Sequence, residues 1–145
     1  MLELKLMPQM HSVSGRILIV DDDPMAVELI AVRMAGLANT VLRSYGGRDA
    51  IDTARRELPD MIVLDLMMPD VSGFDVVQAL RGHPDTARIP IIVLTAMQLT
   101  LQGRAQLNGY VTAVLAKTEL QFQHFRAEVR RAMSGRRQAA AWPQS

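Results

Sequence analysis

Residues 16–37 read Arg16-Ile-Leu-Ile-Val-Asp-Asp-Asp-Pro-Met-Ala-Val-Glu-Leu-Ile-Ala-Val-Arg-Met-Ala-Gly-Leu37, and the change of hydrophobic period inside them decides the fold. Ile17 to Val20 is an unbroken, largely β-branched run, as in a strand buried on both faces of a parallel sheet. After three acids the pattern changes. Val27, Ile30, Met34 and Leu37 recur at helical spacing on one face, with Asp23 placed to cap the helix and Pro24 in its first turn. The same pairing repeats along the chain. Apolar runs at Val41-Leu42, Met61 to Leu64, Ile91 to Leu94 and Val111 to Leu115 predict four more strands. Helices are expected over Gly47 to Glu57, burying Ala50, Ile51 and Ala54 and stopped before Pro59, and over Gly73 to Arg81. A fourth, between Thr100 and Asn108, is the weakest, because Gly103 inside it costs about 1 kcal/mol relative to Ala. A fifth carries Phe122, Phe125, Val129 and Met133 on one stripe. Five strand-helix alternations predict a doubly wound α/β domain with right-handed crossovers.

At 145 residues the chain suits one domain, with 49% hydrophobic and 21% charged residues. The expected division is a leader over 1–15, a domain over 16–134 and a frayed tail over 135–145. The opening MLELKLMPQM is interrupted by Glu3, Lys5 and Pro8, so neither a signal peptide nor a membrane span is expected. There is no Cys, hence no disulfide framework and no thiolate metal site, and the cytoplasm is the default compartment. Sixteen basic and fifteen acidic residues nearly cancel. The late arginines Arg126, Arg130, Arg131, Arg136 and Arg137 read as a solvated helix face rather than a nucleic-acid surface, and direct DNA binding is not expected. Arginine outnumbers lysine fourteen to two, and the domain retains only Lys117, a hint that a compact ammonium is needed there.

In doubly wound sheets ligands bind beyond the carboxyl ends of the strands. Those ends carry Asp21-Asp22-Asp23, Asp65, Thr95 and Lys117, whereas the second strand ends in Ser44-Tyr45 with no ionisable candidate. An outer second strand, as in the order 2-1-3-4-5, fits that pattern. Clustered carboxylates stay ionised only beside a cation, and an oxygen-only donor set favours Mg²⁺. A carboxylate beside Mg²⁺, an ammonium and a hydroxyl has the parts phosphoryl transfer needs, with Asp65 as nucleophile. His11, His83 and His124 lie outside this constellation, and none reads as a phosphodonor.

The segments ILIVDDDP, MIVLDLMMPDVSGFD, IPIIVLTA and VLAK, with Thr95 and Lys117 following Asp65 by 30 and 52 residues, resemble the successive signatures of response-regulator receiver domains over about residues 16 to 133. The resemblance implies a flavodoxin-like fold with strand order 2-1-3-4-5 and five helices. It also implies phosphorylation of Asp65 from a phosphohistidine on a sensor histidine kinase or a histidine phosphotransfer protein. Asp21, Asp22, Asp65 and the backbone carbonyl of Met67 would then hold Mg²⁺. Thr95 would be the switch hydroxyl, Ala96 the small residue beside it and Lys117 the partner of a phosphoryl oxygen, with Pro69 and Gly73 shaping the loop after the acceptor. Such a chain is a signalling domain rather than an enzyme. Its output would pass through the face of helix 4, strand 5 and helix 5 to a downstream protein, and a homodimer is compatible with that face.

Two positions depart from the family. Val114 stands where an aromatic rotamer switch is usual, and Thr118 where a Pro usually follows the Lys through a cis bond. A cis bond to Thr118 would cost about 2.5 to 4 kcal/mol, so a trans bond and a shifted loop are expected. Met67 and Met97 offer no polar side chain to orient water, which predicts slow hydrolysis of the phosphoryl group. Two rival readings remain at this level. One is a degenerate receiver serving only as a docking module. The other is a haloacid-dehalogenase-like phosphatase with Asp21 and Asp23 as nucleophile and acid, which would leave Asp65 without a role.

Overall fold

The computed structural model describes residues 15–141. Its strands are β1 (Arg16–Val20), β2 (Thr40–Ser44), β3 (Met61–Leu64), β4 (Ile91–Thr95) and β5 (Ala113–Ala116). They form one parallel sheet in the order β2-β1-β3-β4-β5. The helices between and after them are α1 (Pro24–Arg33), α2 (Gly47–Glu57), α3 (Gly73–Arg81), α4 (Leu101–Leu107) and α5 (Glu119–Ala141). The doubly wound architecture and the strand order expected from the sequence are both present.

Successive side chains of a strand point to opposite faces, so each central strand feeds two cores. Ile17 and Ile19 of β1 join Val27 and Ile30 of α1 and Phe125 and Val129 of α5 on one side. Leu18 and Val20 join Ala50 of α2, Leu80 of α3 and Leu107 of α4 on the other. All four residues of β3 and all five of β4 are buried, which is why these runs read as continuous apolar sequence. α5 is locked to α1 by more than burial. The Arg33 guanidinium lies 4.2 Å from the Phe122 ring and Arg126 donates to the Arg33 carbonyl, while within α5 the Phe122 and Phe125 rings meet edge to face at 5.9 Å.

Three boundaries differ from the sequence expectation, each for a local reason. The apolar stripe of α1 runs on through Met34 and Leu37, but regular helix stops at Arg33. Tight turns, with Met34 N–H on Ala31 O and Leu37 N–H on Met34 O, keep both residues in the core. β5 begins at Ala113 rather than Val111, because the Val111 N–H closes the turn after α4 on Leu107 O. The tail expected from 135 is helical as far as Ala141, so α5 passes the proposed boundary at 134. Its last residues include Arg136, Arg137, Gln138 and three alanines, all strong helix formers, and Pro143 stands only beyond the end. The leader over 1–14 and Trp142 lie outside the described residues. Among the described residues no helix is long and apolar enough to cross a membrane.

Candidate functional site

The carboxyl ends of β1, β3, β4 and β5 bring five of the expected side chains together. Asp21 follows β1 directly. Its backbone N–H bonds the Ser44 carbonyl at 3.2 Å, so β2 contributes a main-chain acceptor where the sequence suggested no contribution at all. Asp65 follows β3, its N–H on Val20 O at 3.0 Å. The two carboxylates are therefore fixed by sheet hydrogen bonding, and both are buried, at 1% and 6% exposure. Asp22 is exposed at the mouth. One oxygen from each of Asp21, Asp22 and Asp65 lies within 4.8 Å of the others. Asp23 adds no carboxylate to the three: its N–H bonds Asp21 Oδ1 at 3.0 Å, and its side chain caps α1, accepting from Met25 N–H at 3.0 Å. The acid that the phosphatase reading requires is thus not among the three carboxylates drawn together.

Thr95 ends β4 at 2% exposure and donates from its hydroxyl to Asp65 Oδ1 at 2.7 Å. The same oxygen accepts the Met67 N–H at 3.3 Å, which folds the chain after Asp65 back over the site. Lys117, just past β5, reaches Asp21 Oδ2 at 2.5 Å and Asp65 Oδ2 at 3.5 Å. This packing sets the electrostatics. Burial, more than its proximity to Asp65, pushes the Asp21 carboxyl above the usual aspartate range, against the pull of Lys117. Burial opposes the Lys117 ammonium, but the two carboxylates outweigh it and hold its pKa above that of an ordinary lysine. Lys117 is a cation tied between two acids.

Ala96 is exposed beside Thr95, and the Met97 N–H bonds the Thr95 hydroxyl at 3.2 Å. Met67 is 53% exposed at the rim. Val114 lies half-buried on β5, and the peptide between Lys117 and Thr118 is trans, as are all described peptide bonds. The loop from Asp65 to Gly73 is closed by two glycines. A Cβ on Gly73 would stand 2.4 Å from the Asp65 carbonyl oxygen, and one on Gly47 would stand 2.3 Å from that of Val71. Gly47 was not legible as a site-shaping residue, since its partner is backbone and leaves no mark on the sequence.

The donor set suits a hard divalent cation: three carboxylates drawn together, with no imidazole or thiolate among them. One ammonium cannot neutralise all three.

Comparison with known proteins agrees with this geometry. Residues 17–130 match the response regulator receiver domain family. The chain is similar to the response regulator PleD of Caulobacter vibrioides, with 39% identity over 84 residues, which is 58% of this chain and 18% of that protein. It is also similar to the protein PilH of Pseudomonas aeruginosa, with 35% identity over 56% of this chain and 67% of PilH. The matched stretch is thus less than a fifth of PleD's length. Among solved structures, a putative response regulator from Chloroflexus aurantiacus superposes with a TM-score of 0.74 at 28% identity, covering 83% of this chain and 98% of that one. The receiver domain of the sensor histidine kinase PA1611 from Pseudomonas aeruginosa, solved with a magnesium ion coordinated in its active site cleft, superposes with a TM-score of 0.72 at 25% identity, covering 83% and 98%. Fold, site geometry and sequence agree, and the chain belongs to the response regulator receiver domain family.

Proposed function

We propose that this receiver domain accepts a phosphoryl group on Asp65 from a phosphohistidine of a histidine kinase or phosphotransfer protein, in the presence of Mg²⁺. The observation that carries the reading is the convergence on one buried carboxylate of a hydroxyl at 2.7 Å and an ammonium at 3.5 Å, with two further acids beside it. In the transfer an Asp65 carboxylate oxygen bonds to phosphorus as the P–N bond to the donor imidazole breaks. The electron pair leaves with the ring nitrogen, which is protonated from solvent. Thr95 and Lys117 then exchange their carboxylate partners for oxygens of the arriving phosphoryl group and stabilise its charge. Asp21, Asp22 and Asp65, with the Met67 carbonyl, would hold Mg²⁺, which supplies positive charge for the oxygens in flight.

The signal leaves through protein contacts at the surface of α4, β5 and α5. There an open groove of about 460 Å³, lined by Leu101, Arg104, Asn108 and Val114 among others, runs between α4 and the edge strand β5. The half-buried Val114 leaves this face without the aromatic relay usual in the family.

Incubation with an acyl phosphate and Mg²⁺, followed by intact mass, tests the chemistry. A single phosphoryl adduct is expected on the wild type, lost on chelation of Mg²⁺ and absent in Asp65→Asn; an adduct of equal yield in the variant would sink the proposal. With Met67 and Met97 flanking the site and no polar side chain from either to hold a water, the adduct should decay slowly. A half-life of seconds at neutral pH counts against that part.

A further inference from the structure

The acceptor is followed by Leu66-Met67-Met68, and the fold treats these three side chains differently. Leu66 and Met68 are buried, at 1% and 8% exposure, whereas Met67 is 53% exposed. Among the described residues, neither of the two apolar cores includes the Met67 side chain. Its backbone, by contrast, is fixed: the Met67 N–H bonds Asp65 Oδ1 at 3.3 Å, the oxygen that also accepts the Thr95 hydroxyl. A methionine side chain turns about three bonds. This thioether is therefore tethered beside the acceptor at its backbone and unpacked at its tip, within reach of the mouth of the site.

Access decides which thioethers an oxidant meets. Met34 and Met61 are buried as completely as Leu66, and Met97 and Met133 are half-buried against the cores. Among the described methionines only Met25 is more open than Met67, and it stands in the first turn of α1 with its N–H on the capping Asp23.

We infer that Met67 is an oxidation site whose sulfoxide shortens the lifetime of the phosphoryl group on Asp65, an effect that rests on the phosphoacceptor reading. The oxidant is a peroxide. Its O–O bond breaks as one oxygen bonds to the Met67 sulfur; the sulfur gives up two electrons, and the remaining oxygen leaves, with protons, as water. The product is a polar side chain in place of an apolar one. Water that displaces Asp65 from phosphorus in line must arrive from the side away from the carboxylate, which is the open mouth. A thioether is a weak acceptor and gives that water little orientation. The sulfoxide oxygen accepts a full hydrogen bond from it, and one bond of ordinary net strength speeds hydrolysis by roughly threefold to tenfold.

The full chain is treated with hydrogen peroxide, cleared of it with catalase, phosphorylated with acetyl phosphate and Mg²⁺, and separated from the donor; intact mass then follows the adduct. Peptide masses should show Met25 and Met67 converted before Met34, Met61 and Met68. The adduct half-life should fall by roughly threefold to tenfold, and recover when methionine sulfoxide reductases act before phosphorylation. Met25→Leu should keep the whole response to peroxide, and Met67→Leu should lose it. Met67→Gln, which brings an amide oxygen without any oxidant, should have a short half-life from the outset. An unchanged half-life in protein whose Met67 is converted overturns the inference, as does an equal fall in Met67→Leu or conversion of the buried methionines first. No adduct on untreated protein would instead remove the phosphoacceptor reading and the lifetime effect with it, while the peptide masses would still decide whether Met67 is the oxidation site.

Discussion

Asp21 and Asp65 stand on central strands, their backbone amides bonded to neighbouring strands and their surroundings fully buried. Thr95 and Lys117 stand at the ends of β4 and β5, and the segment after Thr95 is built differently. Residues 96–106 are all exposed or half-exposed, α4 has seven residues, and only Leu107 of them is buried. One half of the site is held by the core, while the other adjoins an element with little core of its own. Local opening free energy scales with the number of buried contacts. The acceptor side should hold its geometry through a phosphorylation cycle, and α4 should be the part that moves in response.

Two glycines, one in each half, give the sharpest test. Gly73→Ala would drive a Cβ into the Asp65 carbonyl, where only backbone could yield, and should destabilise the domain by about 1 to 3 kcal/mol, read as a lowered denaturation midpoint. An unchanged midpoint would break the claim that the acceptor loop is rigid. Thr95→Val deletes the buried bond to Asp65 Oδ1 and should cost about 1 to 2 kcal/mol in the same measurement. Gly103→Ala should act in the opposite direction. Its Cβ would meet only the side chains of Leu99, Thr100 and Phe74 at 3.4 to 3.6 Å, and α4 would gain helix propensity of up to about 1 kcal/mol. Slower hydrogen exchange over 101–107 is expected; faster exchange would remove α4 from its place as the weakly held element.

What the sequence disclosed, and what it hid, divides along similar lines. The buried strands were legible because burial on both faces leaves an unbroken apolar run, and Asp21, Asp65, Thr95 and Lys117 were legible because each directly ends or follows such a run. α4 was legible as the weak helix through Gly103. The start of β5 was not, since Val111 is as apolar in a turn as in a strand. Arg81 gave no signal either: its partners are the carbonyls of Tyr110, Thr86 and Ala87, and a carbonyl looks the same in every residue. The end of α5 was misplaced because a run of Arg, Gln and Ala reads equally as polar tail or as helix.

Lys117 is the one lysine of residues 16–134, and its proton is held by two carboxylates. An amine reactive only when neutral is thereby shielded from acylating reagents for as long as Asp21 and Asp65 keep their places. In a chain otherwise supplied with arginine, amine labelling of the domain becomes a single-residue gauge of whether the site is assembled, with no phosphoryl group required to read it.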